Sequence, residues 1–526
     1  MADLNRVILL HAAHYISVLQ EANRLYTQDA EGLGRALELF DANWQHIRLG
    51  QARTAQMAGG SAAAARFCTV YCTGGAHPLQ LRLHPREQIS WIEAALNSAR
   101  IVGDLEAEEA ALLGNLGLAH ADLGDYRQAI RHYEEALTID RRIGNRKGEG
   151  ETLANLGSAY YFQGDISRAV ELYQQRLTIA REIGDRRGEG AGLGNLGNTY
   201  LALSDYRRAI ECFEQHLAIA REVGDLRNEA ATLGNLGSAF YSVGEISQAV
   251  EIHQQALALH RRLGDREGEA SALGNLASAY SVLGDRDRAF VVCQRALAID
   301  REIGARRAEA TDLNILGNIS FASGQTERAQ EFYRQALEGY REIGDRTGEG
   351  NALGNLGNIC HALGEYRLAI QFHQQYLLIA REAHDRSGEN IALGNLGASL
   401  LSLGEYNRAL EVFDEALLLS RDIGDRKGEA SDLGNLGSAF AAIGEYRRSF
   451  ELYETALALH RRVGNQRGEA MTLGNLQEVC QAMGDFQNAA RFHEQLLAIE
   501  KRAWPPHDRE RELNPDVVGG CLDEPQ

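Results

Sequence analysis

Proline is almost missing from the interior of this chain. Six occur in 526 residues, and none lies between Pro85 and Pro505. Nothing in that interval breaks a helix from inside. Long apolar runs are also missing: no stretch reaches the roughly 18 residues needed to cross a bilayer, so no spanning helix is expected. The N-terminal MADLNRVILLHAAHYISVL is briefly apolar. It has no basic leader and no convincing export cleavage site, and it reads as a helix of the folded protein. Positive charge is in deficit, giving a formal net charge of −19. That argues against binding a nucleic-acid backbone, which needs a basic footprint, and against an anionic membrane surface. Cysteine is sparse, seven in all and scattered. Cys68 and Cys72 are four apart but have no second pair, so zinc-type pairing is absent. The cysteines read as small buried hydrophobes in a reducing compartment, with the cytoplasm as default location. There is no H-E-x-x-H, no G-x-S-x-G and no phosphate loop. No catalytic residue, metal site or cofactor is therefore expected, and the protein reads as not an enzyme. The sixteen histidines, such as His216, His253, His260, His373 and His460, read as outer-face residues.

What is present is one tripeptide, Gly-Asn-Leu, and its variants. Its asparagine returns every 40 residues at Asn115, Asn155, Asn195, Asn235 and Asn275, fails at Ile315, and resumes at Asn355, Asn395, Asn435 and Asn475. A self-similar period of this size is the signature of a solenoid, in which each unit contacts only its neighbours. Residues 188–225 show the unit. Leu193, Leu196, Gly197, Tyr200 and Leu203 form one stripe of a first helix. Gly124, Gly164, Gly244 and here Ser204 mark its end, where a left-handed residue is needed. Asp125, Asp165, Asp205 and Glu245 are expected to cap the second helix. Tyr206, Ala209, Ile210, Phe213, Leu217 and Ile219 give that helix its apolar face. It closes at Gly224, and Asp225 is placed to cap the next unit.

Four segments follow. Residues 1–60 read as an N-terminal helical cap of two helices, about Arg6 to Tyr26 and then residues 32–54. In the second helix Leu37, Phe40, Trp44 and Ile47 form one stripe. Residues 61–104 read as a degenerate first repeat with a lengthened irregular loop around Pro78 and Pro85, because Ile89, Ala95 and Gly103 align with Ile130, Ala136 and Gly144. Residues 105–503 are the regular array. Residues 504–526, with four prolines and little apolar content, are expected to be disordered.

Leu156-Gly157-Ser158-Ala159-Tyr160, then Gly164-Asp165, Ala169, Tyr173 and Leu177, resembles the tetratricopeptide repeat over about four-fifths of the chain. The period is 40 rather than the family's 34, and the family's proline late in the second helix is missing. This longer form resembles the arrays of kinesin light chains, which also carry Asn-Leu before the small residue. It also resembles those of Partner-of-Inscuteable adaptors, which share the Gly-Asp-Arg-x-Gly-Glu link seen from Gly184 to Glu189. The resemblance implies an all-α, right-handed α-solenoid of about ten helix-turn-helix repeats, with first helices lining a concave groove that takes extended peptides. The N-terminal residues are similar to the lead-in of repeat arrays in bacterial STAND-class ATPases. That likeness implies a bacterial sensor arm without its motor.

On the first helix, the side opposite the apolar stripe holds Ala191, Asn195, Asn198 and Ala202. The candidate peptide-binding residues are therefore Asn155, Asn195, Asn235, Asn275, Asn355, Asn395 and Asn435, with Asn198, Asn318 and Asn358 three positions on. Ser158, Ser238, Ser278 and Ser438 share that second row. A carboxamide offers donor and acceptor together, which suits a peptide main chain; bonding to the neighbouring repeat is the alternative. Phe162, Tyr161, Tyr241 and Phe321 are candidate aromatic anchors, or inter-helix packing. Ile315 and Phe321 are expected to make an apolar notch. A second ladder runs from Glu109 to Glu469, with Arg146, Arg186, Arg266, Arg306, Arg346, Arg386 and Arg426 three residues before seven of its members. It reads as i,i+3 ion pairs at helix starts. The functional reading is a scaffold or sensor holding a protein or peptide partner. The alternative is a regulatory input arm that recognises a folded partner or small signal and controls a separately encoded effector. Oligomeric state is open.

Overall fold

The computed structural model describes residues 2–26, 30–103 and 105–503; the expected disordered tail lies outside them. Among the described residues every regular element is helical. Helices α1 (Ala2–Tyr26) and α2 (Ala30–Met57) form the N-terminal pair, followed by α3 (Ala62–Thr73), α4 (Ala76–Arg82) and α5 (Pro85–Val102). The array then runs in sequential pairs: α6 (Glu106–Asp122) and α7 (Tyr126–Ile143), α8 (Arg146–Gln163) and α9 (Ile166–Glu182), α10 (Arg186–Ala202) and α11 (Tyr206–Val223), α12 (Leu226–Val243) and α13 (Ile246–Leu263), α14 (Arg266–Val282) and α15 (Arg286–Ile303). It continues with α16 (Arg306–Ala322) and α17 (Thr326–Glu342), α18 (Arg346–Ala362) and α19 (Tyr366–Glu382), α20 (Arg386–Leu403) and α21 (Tyr406–Asp422), α22 (Arg426–Ala442) and α23 (Tyr446–Arg462), α24 (Gln466–Ala482) and α25 (Phe486–Ala503). The chain divides into two compact units, residues 1–272 and 273–526.

One element departs from expectation. The stretch read as irregular around Pro78 contains α4. Pro78 falls in the first turn, where backbone N–H groups have no helical acceptor, so the ring does no harm. Pro85 opens α5 at its first position.

Eight of the ten array pairs are held by a ring set against a gap. On α11 the Phe213 ring lies over Gly197 of α10, so close that an added Cβ would meet it at 2.5 Å. Tyr133 on Gly117, Tyr173 on Gly157, Tyr333 on Gly317, Phe413 on Gly397 and Tyr453 on Gly437 repeat the contact. His253 on Gly237 and His373 on Gly357 do the same. This corrects the outer-face reading of the histidines: His253 and His373 are 1% exposed and serve as core rings. His460 is buried as well, while His216 and His260 are half-buried. Cys68, Cys72, Cys293, Cys360 and Cys480 are buried, and Cys212 is half-buried.

The turns follow the sequence closely. Glycines at 124, 164 and 244 have φ of 76°, 93° and 94°, and Ser204 takes φ 57° in the same place. Asp125, Asp165 and Asp205 accept from the backbone N–H three residues on, at 3.1, 3.1 and 3.3 Å. Asp225 caps α12 the same way at 3.1 Å. Glu245 makes no such bond, contrary to expectation, nor do Glu365, Glu405 and Glu445. The extra methylene carries the carboxylate past the N–H, and at Glu445 it pairs with Arg448 at 2.9 Å instead.

Candidate functional site

The first helices turn their ladder residues away from the core. On α10, Leu193, Leu196 and Tyr200 are buried, whereas Ala191, Asn198 and Ala202 are exposed and Asn195 is half-buried. Asn155 is exposed; Asn235, Asn275, Asn355, Asn395 and Asn435 are half-buried. Among the described residues, the carboxamides of Asn155, Asn195, Asn275, Asn395 and Asn435 bond to no other group of the chain. Two members are tied into the scaffold. Asn235 donates to the Asn198 carbonyl at 3.2 Å, and Asn355 donates to that of Asn314 at 2.9 Å. Asn115 lines a cavity of about 40 Å³ with Leu79, Leu83 and Trp91, beneath the helix that was not foreseen.

The second row serves the scaffold more than the first. Asn318 accepts from the Tyr333 hydroxyl at 2.7 Å. Ser158 and Ser438 bond the hydroxyls of Tyr173 and Tyr453 at 3.0 and 2.8 Å. Ser238 and Ser278 turn back to the carbonyls of Gly234 and Gly274. Asn358 is half-buried. Of the aromatic candidates, Phe162 is 65% exposed and stacks on Tyr126 at 5.7 Å. Tyr161, Tyr241 and Phe321 are half-buried. Ile315 is also half-buried and packs with Phe321 against the core of the second unit. Where the ladder loses its amide at 315, Asn314 supplies one a residue earlier, in place of the usual glycine or alanine.

The glutamate ladder is more than an i,i+3 pair. Arg186 does bond Glu189, but so does Arg181, from the end of the preceding helix, at 2.8 Å. The same two-arginine clamp closes on Glu149, Glu269, Glu309, Glu349 and Glu429. At Glu389 the Arg386 side is looser, at 3.9 Å. Glu149, Glu189, Glu269, Glu349 and Glu429 are 5–8% exposed, each covered by arginines that are themselves about half exposed, so the clamps lie just beneath the surface. At Glu189 burial acts to raise the pKa, yet the hydrogen bonds from Arg181 and Arg186 outweigh it and hold the carboxyl below its ordinary range. The outer nitrogens of Arg146, Arg186, Arg346 and Arg386 reach on to Glu182, Glu222, Glu382 and Asp422 of the next second helix. A single-helix pairing rule cannot find Arg181, because it lies across a loop; its signal is a second arginine eight residues before every ladder glutamate from Glu149 to Glu469.

Among the described residues, no group of three or more His, Cys, Asp or Glu side chains is placed to hold a metal ion. No helix there is long and apolar enough to cross a membrane. The buried ionisable groups lie between helices. His253 and His373 are pushed down to about 4 by burial. Asp312 is pushed up to about 8 by burial and then by Asp300.

Comparison with known proteins places this geometry. The tetratricopeptide repeat model matches residues 108–182, 188–262, 229–302, 268–342, 307–382, 388–462 and 433–502. No curated protein matches the sequence. Among solved structures, the apo quorum sensor NprR from B. thuringiensis is similar over 69% of this chain and 99% of its own, at 15% identity and a TM-score of 0.50. BtubC from P. vanneervenii is similar over 46% of this chain and 99% of its own, at 20% identity and a TM-score of 0.38. A kinesin light chain-like repeat protein from P. anserina covers 37% of this chain and 97% of its own, at 22% identity and a TM-score of 0.34. With stacked 40-residue helix pairs and a model match spanning most of its length, the chain belongs to the tetratricopeptide repeat family.

Proposed function

We propose that the chain is a non-catalytic scaffold that binds an extended peptide segment of a protein partner along its ladder face. One observation carries this reading. The carboxamides of Asn155, Asn195, Asn275, Asn395 and Asn435 have no partner within the described chain, yet they recur in phase beside small residues. Small neighbours let another backbone approach, and a free amide gives it both a donor and an acceptor. Phe162, stacked on Tyr126, offers an apolar anchor of the kind that dominates recognition.

The test begins with co-purification from the native host, which supplies the ligand. Asn275, Asn395 and Asn435 are then replaced together by alanine. Each lost hydrogen bond costs on the order of 0.5–1.5 kcal/mol, so binding should weaken by roughly 10- to 1,000-fold while the melting temperature holds. Wild-type affinity in a folded triple variant ends the proposal. Recovery of a folded effector in place of a peptide would favour a regulatory input arm.

A further inference from the structure

The second helices of the regular array, from α7 to α25, share one apolar position that fails once. Ile139, Ile179, Ile219, Leu259, Ile299, Ile379, Leu419, Leu459 and Ile499 hold it, and Gly339 takes their place on α17. Six of these aliphatic side chains, Ile139, Ile179, Ile219, Ile299, Ile379 and Leu419, are buried. Gly339 lines a hollow of about 290 Å³ in the second unit, and on its other side the Cβ of Ala310 closes to 3.2 Å from where a Gly339 Cβ would stand. Its floor is Ala310, Leu313 and Gly339; its rim is Arg301, Arg306, Glu309, Gln335, Glu338 and Glu342.

The rim is also rewired. Glu338 stands where the other second helices carry Thr, Ala or Leu. The Arg306–Glu342 link, the counterpart of Arg186–Glu222, is not made, nor is an Arg301–Gln335 bond like that of Arg141 to Gln175 at 3.4 Å. Arg301 and Arg306 bond Glu309 at 2.8 and 3.0 Å, and Gln335 turns to Glu331 at 2.7 Å. The Arg306 side chain is 68% exposed, against 44% for Arg186, so its outer edge faces the hollow. One side of the hollow thus offers guanidinium donors, the other two carboxylates without a partner among the described residues, and the floor lacks one branched aliphatic group.

We propose that this hollow binds a free branched aliphatic amino acid. Its side chain replaces the missing Ile or Leu, its α-carboxylate faces Arg301 and Arg306, and its α-ammonium faces Glu338 and Glu342. Burial of the aliphatic group supplies affinity, and the paired charges fix orientation. The site is separate from the asparagine ladder and does not depend on it.

Calorimetric titration of the full chain with L-leucine and L-isoleucine tests this. Saturable binding is expected for at least one of them and none for glycine. Removing either end, with 4-methylpentanoic acid or isopentylamine as probe, should weaken binding on the order of tenfold or more. Gly339→Ile should abolish binding in a chain whose circular dichroism matches the wild type, although its Cβ comes within 3.2 Å of that of Ala310 and the neighbouring helix must give slightly. Glu338→Ala should weaken it. The triple ladder variant should bind the amino acid as the wild type does. No saturable binding at millimolar amino acid, equal binding of glycine, or full binding by Gly339→Ile would overturn the assignment.

Discussion

Burial and the neighbouring Asp300 push the Asp312 pKa up to about 8, which favours its neutral form. Asp312 is 5% exposed and lies against Asp300, itself 3% exposed, with its own Oδ2 lacking a partner. Matching positions elsewhere are better served: Asp140 accepts from Thr152 at 3.2 Å, and Ser420 donates to Asp432 at 2.6 Å. Cys293 and Tyr340 also face this pair. Because the folded pKa, about 8, lies above the ordinary 3.8, the folded state holds the proton more tightly. Its contribution is therefore full below about pH 4 and falls as pH rises to about 8. Thermal melts should show Asp312→Asn flattening that slope and gaining ~2 kcal/mol or more at pH 8. Ser204 carries a smaller cost. It sits at φ 57° where equivalent turns have glycine. Ser204→Gly should stabilise by about 1 kcal/mol in denaturant titration, since a residue with a Cβ is strained there.

The helix pairs were legible because their periodicity is strong, and the ring-on-glycine contact explains why the Leu-Gly step recurs. One unit records the rule in another form. Ala277 replaces the glycine, and opposite it Cys293 replaces the ring, both wholly buried. A gap filled by a methyl thus requires a smaller knob. Gly197→Ala should destabilise by roughly 1–3 kcal/mol, because its Cβ would meet the Phe213 ring. Adding Phe213→Cys should recover part of that loss, and an additive double-mutant cycle would sink the account. Two features were not legible. Helix α4 was hidden by Gly74, Gly75 and Pro78, each a breaker in isolation but harmless before or within a first turn. The buried role of His253 and His373 was hidden because a polar residue at a ring position reads as surface.

At the scale of the array, the face carrying the asparagines could be read from helical phase, but their partners could not. Asn198 and Asn235 are 37 residues apart, and only stacking of adjacent units brings them together. The glutamate clamp has the same origin, and where two arginines close on Glu149, Glu189, Glu269, Glu309, Glu349 and Glu429 it makes acid sensitivity a property of six joints at once. Arg261 and Arg421 hold Glu269 and Glu429 below the ordinary carboxyl range against the opposing effect of burial. At Glu149, Glu309 and Glu349 burial is the larger single effect, and the paired arginines together overcome it. A depressed folded pKa stabilises above the ordinary 4.5 and is lost as pH falls through the folded value. Circular dichroism should therefore show cooperative unfolding setting in below about pH 4. Glu189→Gln should cost about 1–3 kcal/mol at pH 7 and almost nothing once the wild-type carboxyl is protonated. The clamp also bears on inheritance. The glutamate and the arginine eight residues before it keep one spacing from Glu149 to Glu469, and the second arginine joins them at every joint except Glu229 and Glu469, where Leu226 and Gln466 stand, so removing residues 189–228 would bring Glu229 to Arg181 and Arg186 in the same register. Recombination between two such stretches of the gene would then shorten or lengthen the protein by whole units and leave each seam chemically ordinary. The Glu338-Gly339 unit, which has no duplicate in this chain, is the one whose loss no neighbour would make good.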